Sequence, residues 1–448
     1  MNDCIAAIST AMGVGAISII RVSGDNSIDI VNKIFDKDLT KVKSHTINYG
    51  HIIYENEVID EVMVSVMRAP KTFTMEDVVE INSHGSIATT NKILELLLIN
   101  GARLAEPGEF TKRAFLNGRI DLLEAESVMD LINAKTEGSR KLAINGINGK
   151  ISSLIKEIIK RLIDLNANIE VNIDYPEYED IEIMTKSNVK EISDYINEKL
   201  NKLLKESENG KIIKEGIDTL IIGKPNVGKS SILNRLIEEE KAIVTDVAGT
   251  TRDIVEGNIR INGVLLNIID TAGIRETKDV VEKIGVEKSL NLIDKSDLII
   301  LVFNNNEKLT KEDKELLEKT KNKKRIIVVN KIDLDKKIDL DLDLETVNVS
   351  AINNQGIDEI KDKISELFNL EELNNKDFTY LSNSRQISLV KKAINLSKKL
   401  EKSLDEDLPI DMLEIDIKEI CEVLGEIIGE SYDDKLVDTL FSNFCLGK

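Results

Sequence analysis

Gly223-Lys224-Pro225-Asn226-Val227-Gly228-Lys229-Ser230 has the spacing GxxxxGK[S/T], set between an apolar β-type run, Thr219 to Ile222, and a helical one, Ser231 to Ile237. Strand, glycine loop and helix in that order make a phosphate cradle. The glycines let backbone N–H groups wrap an anion, and the helix N-terminus adds its positive dipole. Lys229 can neutralise β/γ-phosphate charge, and the Ser230 hydroxyl can ligate Mg²⁺. Around this loop, between about Lys211 and Leu370, strand, loop and helix repeat: Leu265 to Ile269, Leu298 to Phe303 and Arg325 to Val329 are short apolar runs separated by helical lengths. Such alternation predicts a parallel, doubly wound sheet.

Later segments complete a nucleotide site. Asp270-Thr271-Ala272-Gly273 is a DxxG at the end of a predicted strand, where the Asp can hold Mg²⁺ through water. Asn330-Lys331-Ile332-Asp333 follows another strand. Its Asp carboxylate can accept two hydrogen bonds from guanine N1 and N2, a pair that adenine does not offer. This selects GTP over ATP. Ser350-Ala351, after Thr346 to Val349, supplies a backbone contact to guanine O6, and Gly249-Thr250-Thr251-Arg252-Asp253 supplies a switch threonine, with Thr251 the better Mg²⁺ ligand. The residue after DxxG is Ile274, whose aliphatic side chain cannot orient a water, so Glu276, Glu282, Arg275 and Arg252 are the candidates for that work. Asn226 could place an amide oxygen on a monovalent cation beside the phosphates, or could simply cap its own loop.

On either side the pattern changes. Ile151, Leu154, Ile155, Ile158, Ile159, Leu162 and Ile163 recur at helical spacing and predict a long amphipathic helix. A second helix, Ser187 to Leu204, is expected after the acidic turn at Asp174-Tyr175-Pro176-Glu177. Past Asn374 helices return, with Ile387, Val390, Ala393, Ile394 and Leu400 on one stripe and then Ile415 to Ile428. Helical halves bracketing an α/β unit predict an inserted domain, as is tolerated where a domain's ends lie close. The first part of the chain mixes β-branched runs, Ala16 to Val22 and Val62 to Met67, with turn glycines, and reads as α+β. The expected division is 1–118, an N-terminal α+β domain; 119–210 with 375–448, a helical domain; and 211–374, an inserted doubly wound domain.

The chain has 448 residues, enough for about three domains. Its 60 Lys and Arg against 80 Asp and Glu give a net charge of −20, which excludes nucleic-acid binding by bulk positive charge. Aliphatic side chains must fill the core, since Trp is absent and aromatics are 4%. No apolar run reaches about 18 residues and no basic segment precedes an apolar start, so a cytoplasmic protein without a membrane span is expected. Cys4, Cys421 and Cys445 are too widely spaced for a disulfide framework or zinc pair, and His45, His51 and His84 lack ligand-spaced neighbours. Lys321, Lys323, Lys324 and Arg325 are a dense basic run, read as a solvated helix end.

The chain from Ile17 to Lys448 resembles the MnmE (TrmE) family of tRNA-modification GTPases. The motifs from Gly223 to Asp333 alone are shared with ribosome-assembly GTPases. More specific are Ile20-Arg21-Val22-Ser23-Gly24, Pro107-Gly108-Glu109-Phe110-Thr111, Arg113-Ala114-Phe115-Leu116-Asn117-Gly118-Arg119 and the terminal Cys445-Leu446-Gly447-Lys448. The resemblance implies a Ras-like P-loop G domain and GTP contacts from Gly223, Asn226, Val227, Gly228, Lys229, Ser230 and Ser231. It adds Thr245, Asp246, Val247, Ala248, Gly249, Thr250 and Thr251 of the first switch, and Asp270, Thr271, Ala272 and Gly273. Asn330, Lys331, Asp333, Ser350 and Ala351 complete that set. It implies K⁺ on Asn226, Thr245, Val247 and Thr250, Mg²⁺ on Ser230 and Thr251, and Glu282 as the water-orienting carboxylate. A homodimer joined through N-terminal domains is implied, with the flavoprotein MnmG and tRNA as partners and the wobble uridine's carbon 5 as the place of chemistry. A tetrahydrofolate derivative, 5-formyl- or 5,10-methylene-, would sit on Arg21, Glu80, Arg119 and Lys448, with Cys445 a candidate catalytic thiol. Arg119 replaces the family's lysine, and Thr10-Ala11-Met12-Gly13-Val14-Gly15 lacks the family's prolines. Competing readings are a ribosome-assembly GTPase switch without covalent chemistry, and a folate-dependent one-carbon transferase with a vestigial G domain.

Overall fold

The computed structural model describes residues 3–174, 179–241, 258–269, 292–340, 344–375, 380–381, 383–406, 408–431 and 434–447. They fall into two compact units: one of Met1–Ile132, Asn145–Asn201 and Asn383–Lys448, the other of Asn133–Ile144 and Lys202–Ser382.

The first unit opens with a mixed sheet of β1 (Ile5–Ile8), β2 (Gly15–Ser23), β3 (Thr46–Tyr54), β4 (Glu57–Met67), β5 (Val78–Gly85) and β6 (Arg103–Leu104), ordered β3-β4-β5-β2-β1-β6. All pairings are antiparallel except β1 with β6. Alternation puts Ile20, Val22, Val62, Val64, Val66, Val79 and Ile81 on one face, buried with Ile93, Leu96 and Leu97 of the helix Ile87–Ile99. Ile5 and Ala7 point the other way, onto Ala105 and Phe110.

In the helical part of this unit, Lys150–Asp174 buries Ile151, Ile155, Ile158, Leu162, Leu165 and Ile169. These recur at alternating steps of four and three, the seam of helices packed nearly parallel or antiparallel. Ile163, expected on this stripe, is 57% exposed. It lies one residue, and so about 100° of helical turn, off the seam. Leu413, Ile417, Ile420, Leu424 and Ile427 of Ile410–Ile428 repeat the same steps and pack against both Lys150–Asp174 and Ser384–Asp405. Pro176 lies outside the described residues.

The second unit is the expected doubly wound sheet: β7 (Ile217–Ile222), β8 (Asn258–Ile261), β9 (Val264–Ile269), β10 (Leu298–Asn304), β11 (Arg325–Asn330) and β12 (Thr346–Val349), ordered β12-β11-β10-β7-β9-β8. Neighbours are parallel except for the β8–β9 hairpin. Its Asn262-Gly263 turn has φ of 46° and 78°, the positive pair that a tight hairpin needs. Both faces are buried: Leu298, Ile300 and Val302 meet the helices Lys229–Lys241 and Ile357–Phe368, while Ile299, Leu301 and Phe303 cover the other side. Chain order reverses beside β7, so the carboxyl ends of β7 and β10 flank a switch point, where such sheets bind ligands.

Arg113 is 1% exposed, and its guanidinium holds together the rim of the N-terminal sheet. It donates to Asp3 Oδ1 at 2.8 Å, Glu109 Oε1 at 3.0 Å and Glu76 Oε1 at 3.1 Å. Burial raises the Glu109 carboxyl, but bonds from Arg103, Glu106 N and Arg113 outweigh it and hold the pKa below its ordinary value. We predict that Arg113→Met, which strands buried carboxylates, costs about 3–5 kcal/mol of unfolding free energy in urea at pH 7. Because Glu109 has a depressed pKa, its contribution is present above the ordinary carboxylate range and lost as pH falls through it. The difference between variant and parent should therefore shrink on acidification below about pH 4.

Candidate nucleotide and folate sites

The loop after β7 leaves the sheet at Gly223, whose φ is 156°, and reaches helix Lys229–Lys241 through Gly228 at φ 99°. A Cβ on Gly228 would stand 2.2 Å from Asn330 Nδ2 and one on Gly223 2.3 Å from Val302 O, so both positions exclude side chains by conformation and by contact. Lys229 Nζ donates to Gly223 O and Lys224 O, each at 2.7 Å, arching over its own loop. Burial holds its pKa below the ordinary lysine value. An approaching phosphate would act in the opposite direction and raise it. Ser230 and Ser231 are exposed in the first turn of that helix.

Asn226 has φ of 63°, and its side chain makes no hydrogen bond among the described residues. It therefore does not cap its loop, and its amide oxygen is available to a cation. Asn330, 2% exposed, donates through Nδ2 to Val227 O at 2.8 Å and accepts through Oδ1 from Ala351 N at 3.2 Å. Lys331 Nζ donates to Asn226 O at 2.7 Å. Asp333 is exposed, and its Oδ1 accepts from Ser350 Oγ at 2.6 Å. The sites read from sequence as phosphate loop and base pocket are thus one hydrogen-bonded body. Two supports were not read from the sequence: the Ser350 hydroxyl that orients Asp333, and Arg235, whose Nε donates to Ala351 O at 2.9 Å. A serine before the alanine expected to contact the base was the available signal for the first; nothing local marks the second. Thr245, Asp246, Val247, Ala248, Gly249, Thr250, Thr251, Asp270, Thr271, Ala272, Gly273, Ile274 and Glu282 lie outside the described residues.

In the N-terminal sheet, register sets Arg21 opposite Glu80, and Arg21 Nε and Nη2 both stand 2.8 Å from Glu80 Oε1. Glu80 Oε2 has no hydrogen bond among the described residues, and the pair's side chains are 20% and 22% exposed. That leaves a carboxylate oxygen for a donor-rich ring. Arg119 Nη1 donates to Thr72 O at 2.8 Å and its guanidinium stacks 5.0 Å from the Phe73 ring centroid. The chain end lies against this domain: Ser9 Oγ donates to Gly447 O at 3.1 Å and Gly108 N to Cys445 O at 3.2 Å. Lys448 is outside the described residues. Burial pushes the thiols of Cys4 to about 12 and Cys421 to about 11, whereas Cys445 is exposed. Among the described residues no group of His, Cys, Asp and Glu could hold a metal, and no helix is long and apolar enough to cross a membrane. The basic run is engaged by its own fold: Lys323 Nζ donates to Asp294 O at 2.7 Å, and Lys324 Nζ lies 4.1 Å from the Phe368 ring centroid.

A glycine loop after the central strand of a doubly wound sheet, clasped to an Asn-Lys-x-Asp loop, defines a P-loop GTP-binding protein. Residues 4–119 match the family described as GTP-binding protein TrmE N-terminus, and residues 122–445 match the MnmE helical domain. The tRNA modification GTPase MnmE of Streptococcus thermophilus is 53% identical over 449 residues, 100% of this chain and 98% of that protein. That of Staphylococcus aureus is 52% identical over 456 residues, 100% of this chain and 99% of its own. Among solved structures, the FeoB G domain of Methanococcus jannaschii is similar at 26% identity, covering 34% of this chain and 97% of that one, with a TM-score of 0.25. The chain belongs to the MnmE family of tRNA modification GTPases, and it is a GTP hydrolase acting in tRNA modification.

Exchanging Asp333 for Asn removes the carboxylate that guanine would engage and leaves the Ser350 contact possible. GTP affinity should fall by about 1.5–3 kcal/mol, the range for hydrogen bonds to charged groups. Competition binding should show xanthosine triphosphate gaining over GTP, and an unchanged preference would remove Asp333 from the base pocket.

Proposed function

We propose that this protein is a K⁺-stimulated GTPase that works with the flavoprotein MnmG to install a (carboxymethyl)aminomethyl group on carbon 5 of the wobble uridine, position 34, of certain tRNAs, using a tetrahydrofolate one-carbon unit. The observation that carries the reading is 53% identity over the full chain to a tRNA modification GTPase, together with a nucleotide cradle and an acid–base pair in separate parts of one chain. GTP sits on the loop from Gly223 to Ser231 and on Asn330, Lys331, Asp333, Ser350 and Ala351. K⁺ is held by Asn226 with Thr245, Val247 and Thr250, and supplies the positive charge that an arginine finger supplies elsewhere. Mg²⁺ is held by Ser230 and Thr251. Glu282 orients the attacking water in place of the missing glutamine.

In the same reading Glu80 accepts from the donors of a pterin, Arg21 and Arg119 take its anionic tail, and Lys448 closes the pocket. The free Glu80 Oε2 and the Cys445 and Gly447 carbonyls bonded to the N-terminal domain support this. Cys445, the exposed thiol, is the candidate for chemistry. The protein works as a cytoplasmic homodimer joined through its N-terminal domains, and the chain divides at 1–118, 119–210 with 375–448, and 211–374.

K⁺ should accelerate GTP hydrolysis at constant ionic strength while Na⁺ leaves it at the basal rate. Equal turnover in the two salts would take Asn226 out of a cation site.

Mass spectrometry of wobble uridines from cells lacking the protein should find carbon 5 unsubstituted. Complementation with a chain truncated before Cys445 should leave it so, while the truncated protein keeps K⁺-stimulated GTP hydrolysis. Modification restored by the truncated chain would overturn the role given to the tail.

A further inference from the structure

Lys224 lies in the phosphate loop between Gly223 and Pro225, at a position that GxxxxGK[S/T] leaves open. Its ammonium does not point into solvent. Nζ stands 2.6 Å from Asp313 Oδ2, and the two side chains are 18% and 7% exposed. Asp313 is itself fixed, since Oδ2 also accepts from Thr310 N at 2.9 Å and Thr310 Oγ1 at 3.0 Å, closing the capping box of the helix Lys311–Lys319. The cavity beside the pair, lined by Val227, Phe303, Asn304 and Ile338 among others, measures about 10 Å³. That is room for about one water, so among the described residues Asp313 is the partner that holds the lysine. On the other side of the same residue, the Lys224 carbonyl is one of the two that accept from Lys229 Nζ.

We infer that Lys224 is a positioning residue of the phosphate loop: anchored on Asp313, it holds the carbonyl that aims Lys229. The inference rests on reading residues 223–230 as the GTP cradle. A half-buried pair of opposite charge, joined to a capped helix, is stiff where a solvated lysine would be mobile. Its effect is on the neighbour, because Asp313 keeps the Lys224 charge away from the phosphates while the backbone sets where the Lys229 charge falls. Asp313 then couples the start of Lys311–Lys319 to the loop after β7.

The test measures GTP affinity and single-turnover hydrolysis at saturating GTP for the full chain. Lys224→Met and Asp313→Asn should each weaken binding and slow hydrolysis by roughly tenfold, the order expected from misplacing one positioned charge. Asparagine keeps an oxygen for the Thr310 cap, so loss of the cap is not what Asp313→Asn reports. The double variant should be no worse than either single, since both break one link. Lys224→Arg, which can still bond the carboxylate, should stay within about twofold of the parent, and it decides the matter if Lys224→Met does not fold. Singles indistinguishable from the parent, losses that multiply in the double variant, or an arginine variant as weak as the methionine one would each overturn the inference. Lys229→Ala binding GTP as the parent does would instead sink the cradle assignment beneath it.

Discussion

The Asn330 carboxamide is the contact on which the nucleotide site depends. Its two ends meet backbone of different loops, Val227 O on one side and Ala351 N on the other, and with the residue 2% exposed neither bond competes with water. A buried amide that loses either partner leaves a polar group unsatisfied, at a cost of about 1–3 kcal/mol. The consequence reaches Gly228, where any side chain would collide with Asn330 Nδ2, so the glycine that lets the loop approach phosphate is the same one that lets the amide reach under it. Lys331 adds a second tie, to Asn226 O, beside a backbone already held at positive φ. Phosphate loop and base-reading loop cannot shift separately.

How much of this could be read from the chain depends on the range of the interaction. The strand–loop–helix order around Gly223 and the acid at Asp333 are local, and periodicity alone places the doubly wound sheet and the helix Lys150–Asp174. Ile163 shows the limit of periodicity. It satisfies an i+4 spacing from Ile159, yet the seam is decided by which partner helix is met, and that partner lies far along the chain. The bond from the Ser350 hydroxyl to Asp333, and Arg235 with its bond to Ala351 O, were missed for the same reason, since the acceptors are distant in sequence. Lys224 looked like a free position in a motif because Asp313 is invisible from the motif itself.

An inserted unit poses a separate problem, since the host fold must reassemble from pieces far apart in sequence. Here a buried carboxylate does part of that work. Glu126, 7% exposed, accepts from Asn383 Nδ2 at 2.9 Å, from Arg385 Nη2 at 3.2 Å and from Gln386 Nε2. Burial pushes its carboxyl upward against the pull of Arg385. Asn383 at once caps the helix Ser384–Asp405, its Oδ1 accepting from Gln386 N at 2.9 Å. The first turn after the insertion is therefore capped and pinned to the helix Leu122–Asn133 by the same side chain, which specifies register where apolar seams alone would tolerate sliding.

The C-terminal tail makes a steric argument of what first stood only as a resemblance. Gly447 has φ of 83°, and a Cβ there would lie 2.5 Å from Ile8 O; Gly108, at φ 70°, would put its Cβ 2.5 Å from Phe441 O. Each glycine is required twice, by backbone conformation and by the closeness of a facing main chain. The tail thus reaches the end of β1 only because side chains are missing on both surfaces, and once there its carbonyls are taken by Ser9 Oγ and Gly108 N. Two ends of the chain separated by more than four hundred residues are thus joined through main-chain carbonyls, one taken by the Ser9 hydroxyl and one by a backbone N–H, at a place where Gly447 leaves no room for a Cβ while the neighbouring Leu446 is 48% exposed.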